Sequence, residues 1–138
     1  MLFRSVEKSN DVYLSYSSDA YKSITVSSSP SVTVAITPDG WHRGKQVVSQ
    51  YEGSFKPTDS DFVVNATDAT RRGRLDSIYI YVSESAFSGV TGSVAGDDVN
   101  GRGSRKKPYK SIATAVAQCW NGPNDTAAKG VVRSLVWN

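Results

Sequence analysis

The chain has 138 residues and a mass of 14.9 kDa, enough for one ordinary domain or two small ones. It holds 17 valines but only 4 leucines, 3 glutamates, and 30 serines and threonines, a composition that excludes an all-helical bundle or a coiled coil. Its net charge of +3 is a mild excess, and no apolar run approaches the roughly 20 residues that cross a bilayer as a helix.

The first half reads as short strands. Val12–Tyr16 and Ile24–Val26 are candidates, followed by a Ser-Pro break. Val32, Val34 and Ile36 alternate with period two and predict a strand with one buried face. Pro38-Asp39-Gly40 is a turn, because Pro presets φ and Gly accepts positive φ. Gln46–Tyr51 and Phe62–Val64 are two further strands, with residues 56–61 as a loop between them. Strands this closely spaced predict a small sandwich or barrel-like sheet. Residues 65–75 are polar and aperiodic, and Arg71-Arg72-Gly73-Arg74 reads as a solvated linker. The expected division is therefore a β-rich domain over 1–75 and a second unit over 76–138.

Residues 77–82 form the strongest strand signal. Ile78, Ile80 and Val82 face one way, Tyr79 and Tyr81 the other, and both faces are expected to be covered. Residues 83–107 read as loop. The basic run Arg102, Arg105, Lys106, Lys107 and Lys110 reads as a solvated segment, with an anionic partner as the alternative. Ser111 is a good N-cap for a helix whose stripe is Ile112, Val116, Cys119 and Trp120, ended by Asn121-Gly122-Pro123. Residues 131–137 are a last strand.

Chemistry fails on inventory. Counted from Asp98, a calcium loop would place Arg102 where an oxygen ligand belongs and Tyr109 where the closing Glu belongs. The Gly-Arg-Gly-Ser run lacks phosphate-loop spacing. His42 is the only histidine and Cys119 the only cysteine, so neither a triad nor a structural zinc site is assembled. The lone thiol is expected in packing and suits assembly in a reducing cytosol. No secretory signal opens the chain, and the sequons at Asn65 and Asn124 are taken as chance. No catalytic residue, cofactor or metal is assigned.

The second half does resemble a known pattern. Tyr81-Val82-Ser83 follows Ile80. A variable loop leads to Gly96-Asp97-Asp98, Asn100-Gly101 and Gly103-Ser104, and then to Lys107-Pro108-Tyr109-Lys110-Ser111-Ile112 with Ala115 and Val116. This order, over about residues 77–120, resembles the opening segment of pectate-lyase-like right-handed parallel β-helices, found in phage tailspikes and in some polysaccharide-degrading enzymes. The resemblance implies a mainly β chain: a small anchor or adaptor domain over 1–75, then a first strand, Gly/Asp loop, capping helix and first coil strand over 76–138. It implies a structural virion protein, the N-terminal, virion-attaching part of a tailspike or tail fibre. Such a part is a homotrimer held in a tail or baseplate socket and assembled in the host cytoplasm. Host-surface glycan would be met only by coils beyond Asn138, and so would any cleavage, because a solenoid needs at least three stacked repeats. Other readings stand beside it. These are a complete small baseplate, tail or capsid-decorating protein, a fragment of a polysaccharide-degrading enzyme, and a basic nucleic-acid binder. No membrane partner is expected.

Overall fold

The computed structural model describes residues 11–67, 69, 71–77, 79–119 and 134–138. The elements in chain order are β1 (Asp11–Leu14), β2 (Tyr16–Ser17), β3 (Ala20–Tyr21), β4 (Ile24–Thr25), β5 (Val34–Pro38), β6 (Val48–Ser49), β7 (Phe55–Pro57), β8 (Val63–Val64), β9 (Leu75–Asp76), β10 (Tyr79–Val82), α1 (Ile112–Cys119) and β11 (Ser134–Trp137). The described chain is mainly β, built of small sheets, as the composition requires.

Several local signals take their expected form. Along β5, Ile36 and Pro38 are buried and Val34 half-buried, while Val32 lies before the strand and is exposed. The turn after Pro38 runs through Gly40 at φ 70°. A hairpin that no sequence signal announces joins β2 to β3 through Ser18 and Asp19, both at positive φ (52° and 64°). Two consecutive left-handed residues give the twist that a two-residue hairpin needs.

The sandwich or barrel expectation is not met. The largest sheet has only three strands, ordered β1-β5-β7, and its pairs are parallel. Asp11 lies opposite Ala35, Val34 opposite Phe55, and, in a second small sheet, Ile24 opposite Val48. The chain therefore returns in the same direction every 21 to 24 residues. Strand spacing cannot distinguish this from antiparallel meanders, because direction depends on what the connection does. β7 overlaps the segment expected as loop. Its backbone pairs with β5 while Phe55 and Pro57 turn inward, and Pro57 ends the strand because it has no N–H to donate.

One core gathers Leu14, Ile36, Val47, Val48, Phe62 and Leu75 with their neighbours; a second holds Ile80, Val82, Tyr109 and Ala115. The segment that reads as a solvated linker is packed instead. β8 and β9 pair antiparallel, so the expected boundary at residue 75 falls inside β9. Arg71 is 3 % exposed and its Nε donates to the Asp76 carboxylate at 2.8 Å, with Asp76 wholly buried. A guanidinium beside a carboxylate compensates both charges, which is why an arginine can sit there.

β10 is central to the second core. It pairs in parallel with β11, Ile80 opposite Leu135 and Val82 opposite Trp137. Ile80 and Val82 are buried, as the alternation predicts. The opposite face is only partly covered: Tyr79 is 48 % exposed, while Tyr81 meets Phe87 edge-on at 5.5 Å. The helix is also corrected in its facing. Ile112 and Val116 are half-exposed and Ala115 is the buried residue. A methyl side chain lets the helix backbone lie close to Ile80 and Val82, which the larger residues would hold off. Ile78, Trp120, the helix stop at 121–123, the sequon at Asn124 and residues 131–133 lie outside the described residues, as does the Cys119 side chain. No stacked β-helix is seen among the described residues.

Candidate functional site

The pattern from Tyr81 to Val116 folds as a brace around the end of β10. Tyr81 N–H donates to the Gly103 carbonyl (2.8 Å), Tyr109 N–H to the Tyr81 carbonyl (3.0 Å), and Ser83 N–H to the Tyr109 carbonyl (2.9 Å). Pro108 and Tyr109 therefore run beside β10, and Val82 and Tyr109 form a parallel bridge. Gly96 lies where this bridge leaves no room: a β-carbon there would meet the Ser83 carbonyl oxygen. Gly101 is similarly closed in by the carbonyls of Asp97 and Pro108.

The carboxylates of the loop hold backbone, and this accounts for their spacing. Asp97 accepts from the N–H groups of Val99 (2.7 Å) and Asn100 (3.0 Å) and from the Asn100 side-chain amide (3.2 Å). Asp98 accepts from the N–H groups of Lys110 and Ser111, each at 2.9 Å. Both carboxyls are held below the usual range, Asp97 chiefly by the Asn100 N–H and Asp98 chiefly by the Ser111 N–H. Ser111 caps α1 as predicted, its Oγ accepting from Thr114 N–H at 3.2 Å. Ser104 Oγ accepts from Lys107 N–H at 3.1 Å. Asp97 and Asp98 thus serve different turns and do not converge on a common point.

The basic run divides into two kinds of residue. Arg102 Nε donates to the Gly40 carbonyl at 2.7 Å. Arg105 grips Asp61 through Nε (2.9 and 3.1 Å) and through its backbone N–H (2.8 Å), with its guanidinium over the Tyr81 ring. These two arginines pin the loop to the first half of the chain, a role the sequence hides because their partners are 62 and 44 residues away. Lys106, Lys107 and Lys110 are exposed, as a solvated run should be. Asp61's side chain is only 7 % exposed. Arg105→Ala is therefore expected to cost about 2–3 kcal/mol, since it strips a charged partner from a nearly buried carboxylate. A double-mutant cycle with Asp61→Asn, read by urea unfolding, checks this; additive losses would contradict it.

Arg43, which no motif singles out, reaches the same junction: its Nε donates to Ser77 Oγ at 2.8 Å and its Nη1 to the Tyr109 hydroxyl at 3.4 Å. Beside it, the His42 ring stacks on Tyr16 with centroids 3.8 Å apart, and the His42 backbone N–H donates to the Tyr21 hydroxyl at 2.7 Å. Burial pushes the Tyr21 phenol up to about 12. Burial first, and the Arg102 charge second, hold the His42 imidazole below its ordinary value of 6.5. The unfolded chain then binds this proton more readily. The resulting stability is complete above pH 6.5 and is lost as pH falls through the lower folded value. Thermal midpoints between pH 7.5 and 5.5 should fall in the wild type and fall less in His42→Phe, which keeps the stack and cannot titrate.

Compared with known protein families, curated proteins and solved structures, the chain matches none.

Proposed function

We propose that this chain is the N-terminal, virion-attaching part of a phage-type tailspike or tail fibre, and that its work is structural. The observation that carries the reading is the order of parts around β10. A strand is followed by a Gly/Asp/Asn loop whose carboxylates and glycines serve backbone turns. A capped helix then lies over Ile80 and Val82 through Ala115, and a strand returns parallel to the first. That is the geometry needed to close the end of a parallel solenoid, where strand edges would otherwise be open. The parallel returns of 21 to 24 residues in the first half agree with a chain built by winding.

The half-exposed Ile112, Val116, Tyr79 and Trp137 support assembly in the same way, since apolar surface left uncovered on one chain suits a neighbouring subunit. The carboxylates best placed for chemistry are occupied with backbone N–H groups, which favours a structural role over an enzymatic one. The reading places the chain in the tail of a virion, as a homotrimer seated in a socket of other virion proteins. Light scattering on the purified chain tests the assembly: a mass three times 14.9 kDa is expected, and a monomer at high concentration would count against it.

A further inference from the structure

The loop and the first half enclose a groove of about 330 Å³. The first half contributes a wall of Thr37, Trp41, Thr58 and Asp59; the loop contributes Arg102, Lys106 and Lys107. We infer that this groove is a docking site for an acidic peptide segment, one with neighbouring carboxylates flanking an apolar side chain.

Charge complementarity carries the inference. Lys106 and Lys107 are exposed and make no ion pair among the described residues. Arg102 is engaged by the carbonyls of Gly40 and Gly101, which fix its position without neutralising its charge. Three cations therefore face the groove against one carboxylate, the nearly buried Asp59, and one of the three is rigidly held. The opposite wall offers what a peptide needs besides charge. Trp41 is half-buried, stacked on Phe62 at 5.0 Å, and supplies a fixed apolar surface. Thr37 donates to Asp11 at 2.9 Å and lies 2.8 Å from the Thr58 hydroxyl. Thr58 then gives its proton to Thr37 and keeps an oxygen free to accept a peptide N–H. Aromatic and arginine side chains at the centre of a small cleft are the residues that usually carry binding energy.

The groove does not suit nucleic acid. Its cationic side is three residues long, far shorter than an extended phosphate track. Its volume lies at the lower end of binding clefts, about 300–1,000 Å³, suited to a few side chains. Because the walls come from residues 37–59 and 92–107, an occupant would bridge the parts that Arg105 and Asp61 already tie together.

The inference rests on the attachment reading for what presents the peptide, a neighbouring virion protein. Its test uses the free chain. The blocked peptide Asp-Glu-Phe-Asp-Glu is titrated while the Trp41 indole N–H resonance, assigned with Trp41→Phe, is followed. A saturable shift is expected, weakened at least about tenfold in Lys106→Ser/Lys107→Ser. Both substitutions are at exposed positions, and an unchanged thermal midpoint shows that the fold survives them. No saturable shift, an unchanged affinity in the double variant, equal binding of a Lys/Arg peptide, or equal binding of a single-stranded oligonucleotide of the same charge would each overturn the site. No particle enters this titration, so a negative result falls on the groove alone.

Discussion

Arg71→Ala is expected to destabilise the protein by about 3–5 kcal/mol, because it leaves a buried carboxylate without its cation. The Asp76 side chain has no solvent exposure, and that of Arg71 has 4 %. One Asp76 oxygen accepts from Ser77 N–H at 2.9 Å, and the other accepts from Arg71 Nε at 2.8 Å and the Asn65 amide at 3.2 Å. Hydrogen bonds remain after the substitution, but they do not replace the charge that the guanidinium supplies. Single domains have about 5–15 kcal/mol in total, so the variant should be close to unfolding at room temperature. The paired change Arg71→Met/Asp76→Leu removes both charges and keeps volume, and should recover much of the loss. Urea unfolding of the two variants checks the account. A loss below about 1 kcal/mol in Arg71→Ala would mean that the pair behaves as an exposed one.

Gly96→Ala is expected to cost about 4 kcal/mol or more, among the largest effects of a single methyl group. The added carbon would collide with the Ser83 carbonyl oxygen and sit 2.8 Å from that of Tyr109. Both are backbone atoms in the ladder beside β10, so neither can swing aside as a side chain would. Relief requires parting Ser83 from Tyr109, which breaks the 2.9 Å bond between them and loosens the cover over Val82. At Gly53 an added methyl would meet no atom within 4 Å, and Gly53→Ala should stay within about 0.5 kcal/mol. Equal thermal midpoints for the two variants would contradict the close approach at Gly96.

What is legible in the sequence is local. The alternation of Val34 and Ile36 (though not Val32, which lies before the strand), the Pro38-Asp39-Gly40 turn and the Ser111 cap each act within a few residues and take their expected form. The order of motif parts from Tyr81 to Val116 is also readable, and its glycines and aspartates have individual reasons in the fold. The parallel returns are not readable, because the partners Asp11 and Ala35 carry no mark of each other and direction is set by the whole connection. The ion pairs Arg71–Asp76 and Arg105–Asp61 are hidden for a related reason: their residues look like ordinary charges in polar segments, and burial changes their meaning. The helical period correctly announces α1, but periodicity favours the large residues Ile112 and Val116 for the core. Close packing against β10 favours Ala115.

The proposal that this chain fastens a spike to a virion is tested most directly by immunogold electron microscopy of the native particle with antibody raised against residues 11–67. The account predicts gold at the tail, at the point where spikes or fibres join it, and loss of that label together with the spikes when they are stripped. Label spread over the capsid, or no label on intact and stripped particles alike, would contradict it.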